Sequence, residues 1–270
     1  RNGFASVAIF NFLGLWNQFL IPVAINTNVD NYVLSQGMAA FASQAGYAVD
    51  FGALFAADPL AARTPVLLVH GLVDNRSIFA VMRRSLRRRG FASVCSWNYS
   101  PLLRDVATAA ADLGEHIERV CAQTGHDRVH VVGHSLGGLV ARYHVQRQGG
   151  DRRVDELVTL GTPHGGSLLA HALPTPLVRQ LRPGSPLLRE LDEPVEACDT
   201  RITAVYSDLD QLVLPTSAGR CDHPDLGARN VLVRGVGHMS LPIHRGVLDE
   251  VALTLAGSPV AAPGPVRTAA

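Results

Sequence analysis

The chain contains no lysine; all 24 of its Lys/Arg-type cations are arginine. A phosphate-cradling Gly-x-x-x-x-Gly-Lys loop is therefore excluded. Charged residues are sparse, at 17%, and nearly balanced, with a formal net charge of +1. Aromatic residues make up only 6%, and no basic segment is interleaved with them. Nucleic acid is thus not an expected partner. Cysteine is scarce. Cys95, Cys121, Cys198 and Cys221 form no Cys-x-x-Cys pair, so neither a metal site nor a cofactor is expected. Cys198 and Cys221 flank the segment around Asp210. Either a disulfide between them tethers that segment, or all four cysteines are unpaired thiols.

Residues 2–29 lack any charged side chain. The stretch 4–25 is long enough to cross a membrane, but Asn11, Asn17, Gln18 and Pro22 interrupt it. Three readings stay open: a membrane anchor or uncleaved signal, an apolar segment packed on the domain, or an interfacial helix. The densest charge run is Arg83-Arg84-Ser85-Leu86-Arg87-Arg88-Arg89, on a helix expected at 77–89. It reads as a solvated helix face, with attraction to an anionic membrane surface as the sharper alternative.

Hydrophobic residues, at 47%, support a large core. From residue 65 onward short apolar runs alternate with helical patterns. Strands are expected at 65–69, 92–97, 129–132, 154–160, 201–206 and 230–235. Helices are expected near 77–89, 105–124, 136–148 and 241–255. In 105–124, Val106, Ala110, Leu113, Ile117 and Val120 recur at helical spacing. Such alternation predicts an α/β fold, a mostly parallel sheet with helices on both faces. Its functional residues should lie at the C-terminal ends of the strands. The expected organisation is an apolar N-terminal extension at 1–64, a catalytic domain at 65–256 and a disordered Gly/Pro/Ala-rich tail at 257–270.

Residues 133–137 read Gly-His-Ser-Leu-Gly, between a β-branched run and a helical segment. A serine in such a strand–turn–helix context is held in a strained turn with its hydroxyl exposed, and the flanking glycines leave room for the turn. Ser135 is the candidate nucleophile. A serine hydroxyl needs a base, and the base needs an orienting carboxylate. Of eleven histidines, His238 alone sits in a Gly-rich turn between the last strand and the last helix; His244 is expected inside that helix. Asp208 and Asp210 both follow the strand 201–206. Asp210, deeper in the loop, is the better acid, and Asp208 reads as a turn cap. The N–H groups of Leu136, after the nucleophile, and Leu72, after the turn His70-Gly71, are the candidate oxyanion donors.

These motifs are Val69-His70-Gly71-Leu72, Val132-Gly133-His134-Ser135-Leu136-Gly137-Gly138, Leu160-Gly161-Thr162-Pro163-His164-Gly165-Gly166, Tyr206–Asp210 and Gly235–His238. In this order the chain resembles the bacterial triacylglycerol lipase and esterase branch of the α/β-hydrolase superfamily, over roughly residues 65–256. The resemblance implies hydrolysis of carboxylic esters of fatty acids, commonly acylglycerols, through an acyl-enzyme carried by Ser135, His238 and Asp210. An acyltransferase or thioesterase would use the same residues. A non-catalytic envelope protein on the same scaffold would be expected to lose at least one of them. Thr162–Pro194 carries nine leucine and valine side chains, Leu177 and Leu181 among them, and six prolines. It reads as an acyl-binding rim or short lid, too short for a large cap domain. A lipid substrate, a membrane or lipid-droplet surface, and a secreted or bacterial cell-envelope location are the corresponding expectations.

Overall fold

Val66-Leu67-Leu68-Val69 is fully buried along its length, as a strand covered on both faces must be. It forms β1 (Val66–Val69), an interior strand of a six-stranded sheet in a computed structural model that describes residues 64–72, 74–99, 105–172 and 174–257. The other strands are β2 (Val94–Trp97), β3 (Val129–His134), β4 (Val154–Leu160), β5 (Arg201–Ser207) and β6 (Arg229–Val233). Their spatial order is β2-β1-β3-β4-β5-β6, and every pairing is parallel. The apolar stretch at 2–29 and the tail from 258 lie outside the described residues, as do the readings attached to them.

Alternate side chains of β1 enter different cores, as the two-residue period of a strand requires. Leu67 and Val69 join a cluster with helices α2 (Val106–Thr124) and α3 (Leu136–Arg147). Val66 and Leu68 join a second cluster, on the opposite face, with α1 (Ala80–Arg88) and the closing helix at Arg245–Leu255. The expected fold, a parallel sheet covered by helices on both faces, is the observed one.

Local chemistry sets the helix limits. Asp105 caps α2, its carboxylate accepting from the Thr108 N–H at 2.7 Å, and Gly125 ends it at φ 71°. In α1 only Met82 and Leu86 are buried, so its arginines stand outward. Arg83, Arg84, Arg87 and Arg88 line an open surface groove with Ala80. Arg89 instead turns inward and bonds the Leu248 carbonyl and Asp249. Between β4 and β5 lie two short helices, α4 (Pro176–Arg179) and α5 (Pro186–Leu191). Each has proline in its first turn and a hydroxyl cap, Thr175 or Ser185. The closing helix, α6 (Arg245–Leu255), starts later than its sequence suggests. A 3₁₀ turn at His238–Ser240 precedes it, and His244 is its N-cap rather than an interior residue. All four cysteines are free thiols, so no disulfide joins Cys198 to Cys221. Polar bonds fix that region instead: Asn230 Oδ1 accepts the Cys221 N–H at 2.8 Å, and Arg220 pairs with Asp222.

Candidate active site

Ser135 follows β3 at φ 54° and ψ −123°, and it is the one non-glycine residue with positive φ among the described residues. Such strain persists only where the surroundings enforce it. Here the Ser135 N–H donates to the Leu160 carbonyl at 2.9 Å, and the Thr162 hydroxyl donates to the Ser135 carbonyl at 3.0 Å. Glycine on the helix side is obligatory, since a Cβ on Gly137 would lie 2.4 Å from the carbonyl oxygens of Val69 and His70. The turn after β1 presses against Ser135 from the other side. A Cβ on Gly71 would come within 3.0 Å of the Ser135 Cβ.

His238 and Asp210 leave from the turns after the two outermost strands at one sheet edge, β6 and β5. The His238 Nδ1–H donates to Asp210 Oδ2 at 2.7 Å, and both side chains are almost fully buried. The other oxygen, Asp210 Oδ1, accepts the N–H groups of Leu212 and Val213 at 2.8 and 2.9 Å. A carboxylate holding Nδ1–H leaves Nε2 as the acceptor a general base needs. Burial lowers the His238 pKa from its ordinary value, against its hydrogen bond to Asp210, which raises it. The ring is thus biased toward its neutral form. Asp208 points elsewhere: it accepts the Gly235 N–H at 2.7 Å and lies 3.4 Å from Arg234.

The N–H groups of Leu72 and Leu136 make no hydrogen bond to an acceptor among the described residues. Leu136 is the first residue of α3, where free N–H groups favour developing negative charge. Leu177 is buried in the larger core, and Leu181 packs against it. The apolar surface lies nearby instead. Leu168 is 58% exposed, Leu169 40%, Leu209 52% and Leu212 38%, four of the five exposed large hydrophobics among the described residues. They occupy two loops laced together. The Ser167 hydroxyl donates to the Leu212 carbonyl at 2.7 Å and accepts the Leu214 N–H at 3.2 Å, while the Leu168 N–H donates to the Leu214 carbonyl at 2.8 Å. These leucines therefore sit on either side of Asp210 in the acid loop and beside it.

Sequence reasoning passed over a second polar group here. Asp74, with a side chain 2% exposed, meets His134 Nδ1 at 2.9 Å, and His134 Nε2 lies 3.2 Å from the His238 carbonyl. His70 Nδ1 is 3.4 Å from Asp74, and its ring stacks on Tyr99 at 4.3 Å. The spacing His70-x-x-x-Asp74 in the turn after β1 was the available signal. Without a fold, nothing ties it to the elbow.

The family model described as palmitoyl protein thioesterase matches residues 65–211, from the start of β1 past Asp210. A triacylglycerol lipase of Burkholderia plantarii is 35% identical over 127 residues, 44% of this chain and 35% of that protein. A diacetylchitobiose uptake system permease protein of Streptomyces coelicolor is 55% identical over 87 residues, 32% of this chain and 28% of that protein. The chain thus spans only about a third of the length of the curated relatives it matches. Among solved structures, a lipase of Bacillus licheniformis in its mature form superposes with a TM-score of 0.60 at 18% identity. That match covers 74% of this chain and 93% of the other, a likeness of fold. The chain belongs to the palmitoyl protein thioesterase family, within the lipase and esterase branch of the α/β-hydrolase superfamily.

Proposed function

We propose that this protein is a serine hydrolase that cleaves carboxylic esters of fatty acids through an acyl-enzyme. The observation that carries the reading is the buried Asp210–His238 pair at 2.7 Å beside a strained serine elbow. The His134 ring, next in sequence to Ser135, lies 4.9 Å from the His238 ring, which brings the base to the nucleophile's turn. In this mechanism Ser135 Oγ attacks the substrate carbonyl while His238 Nε2 takes its proton. The N–H groups of Leu72 and Leu136 hold the oxyanion, and His238 then protonates the leaving alcohol. Water activated by the same base releases the acid and frees Ser135. Asp210 holds the ring and supports the imidazolium.

The family description favours one close second reading, in which the scissile bond is a thioester. Transfer to an acceptor other than water would use the same acyl-enzyme. Labelling by a fluorophosphonate tests the reactive serine. Parallel rates on p-nitrophenyl palmitate and palmitoyl-CoA separate ester from thioester. Absence of labelling at Ser135 would leave the non-catalytic envelope reading.

The exposed leucines support an acyl or lipid-surface contact beside the acid loop. Replacing Leu168 and Leu212 together by Asp is expected to lower kcat/KM for a palmitate ester by about tenfold or more, since each buried CH₂ contributes about 0.8 kcal/mol. An acetate ester should change by less than about twofold. Equal losses on both esters would assign these side chains to the scaffold. The same pair of rates for Leu177→Asp and Leu181→Asp tests whether those positions, buried or packed on the core, also take part in acyl binding.

A bacterial envelope or secreted location also belongs to this proposal. The charge-free stretch at 2–29, the arginines of α1 and the permease likeness support it. Among the described residues no helix is long and apolar enough to cross a membrane. Retention of the protein in membranes after an alkaline carbonate wash would favour an anchor at 2–29, and its release would remove that reading.

A further inference from the structure

We propose that Asp74 and His134 form a second carboxylate–imidazole pair whose task is to position His238, a role that rests on the catalytic reading above. The geometry is that of a brace from behind. His134 Nδ1 meets Asp74 Oδ2 at 2.9 Å, and His134 Nε2 meets the His238 carbonyl at 3.2 Å. Both partners are acceptors, so holding both bonds at once requires a hydrogen on each ring nitrogen. A neutral His134 can hold only one of them.

Nothing in the proposed mechanism uses this pair, yet it is buried at the centre of the site. The His134 side chain is 0% exposed and that of Asp74 2%. A buried charged group is kept only when it is partnered. Burial pushes the Asp74 carboxyl up, but the His134 hydrogen bond and the nearby imidazoles of His134 and His70 outweigh it and hold the pKa at about 2. Asp74 is therefore a fixed anion reaching two pieces of the site. One is the oxyanion turn, through His70, whose Nδ1 also lies 2.8 Å from the Gly71 carbonyl. The other is the base, through His134.

The titratable groups facing His238 come from three elements: Asp210 on the acid loop, His134 on the elbow and Asp74 on the turn after β1. His70 and Tyr99 complete the cluster behind Asp74, the Tyr99 hydroxyl donating to the His70 carbonyl at 2.9 Å. His134 and Asp74 act on the base with opposite sign. A positive His134 disfavours a second positive charge on His238, whereas Asp74 favours it. The pair thus braces the main chain of His238 while leaving little net charge beside its ring.

Three variants of the full chain test this: His134→Gln, Asp74→Asn and the double substitution. Each is assayed for kcat and KM on a short soluble ester across pH, with thermal unfolding alongside. Both single variants are expected to lose about 10- to 100-fold in kcat, with KM within about twofold, as for a misplaced catalytic group. The acid limb of kcat/KM should move in opposite directions. His134→Gln leaves Asp74 unbalanced and shifts the limb to higher pH, by about one unit; Asp74→Asn shifts it lower. The double variant should return the limb toward the wild-type position while kcat stays low.

Unchanged pH profiles in all three, or shifts of the same sign, would overturn the proposal, as would kcat values within twofold of wild type. If the variants fail to unfold cooperatively, the wild-type chain decides. ¹H–¹⁵N spectra of the wild-type chain should show the His134 Nδ1–H as a hydrogen-bonded, slowly exchanging proton held by Asp74. Its absence would overturn the proposal. Fluorophosphonate labelling of the wild-type chain keeps the two readings apart. Failure to label removes the catalytic reading itself, whereas labelling with unmoved profiles removes only the brace.

Discussion

Ser135→Ala is expected to reduce kcat on a soluble ester by about 10⁴-fold or more while leaving the chain folded. The hydroxyl is the only atom removed. The bonds that enforce the turn, from the Ser135 N–H to Leu160 and from Thr162 to the Ser135 carbonyl, run through main-chain atoms of residue 135 and survive the change. Alanine also tolerates the positive φ no worse than serine, because the strain comes from the Cβ both share. Thermal unfolding should therefore stay close to wild type. Activity above about a tenth of wild type in a variant shown to be pure would rule Ser135 out as the nucleophile.

The second large effect is expected at Asp210, and the structure gives it a specific form. In Asp210→Asn, the side-chain oxygen can still accept the N–H groups of Leu212 and Val213, which now meet Oδ1. The amide nitrogen then faces His238 Nδ1. A donor there makes Nδ1 an acceptor and puts the ring hydrogen on Nε2, where it cannot take the serine proton. Loss of the correct tautomer costs about 10⁴-fold in kcat in a triad of this kind. Asp208→Asn should stay within a few-fold, because Asp208 holds the Gly235 N–H and the exposed Arg234. Comparison of kcat for the two variants is the check. An inactive Asp208→Asn beside a near-normal Asp210→Asn would reverse the assignment.

Much of this architecture is legible in the chain because its strands are buried on both faces and read as short apolar runs. Val154–Leu160 is observed at the bounds its sequence suggests, and β1 and β5 differ by one residue at an end. Helix ends marked by a cap chemistry, such as Asp105 and Gly125, are equally readable. Legibility falls where tertiary contacts decide. His244 fits a helical pattern, yet the turn carrying His238 delays the helix to Arg245. Leu177 and Leu181 share their composition with Leu168 and Leu169. Only the fold shows which pair faces the core and which faces water. The Asp74–His134 contact is less legible still, since it joins residues 60 positions apart that no local period relates.

The Ser167 hydroxyl has one hydrogen to give and two lone pairs to fill. It uses all three, donating to Leu212 and accepting from Leu214 and Leu169. Saturated in this way, it binds the leucine-bearing turn and the loop that carries Asp210 into a single stiff body. Such a rim has no hinge between its apolar lip and the acid. Substrate entry then requires no prior displacement of one against the other, and the reaction should begin at its full rate on mixing. Progress curves on emulsified substrate are accordingly expected to run linearly from the first seconds, and a lag that shortens with added interface would reveal a moving lid in place of a fixed lip.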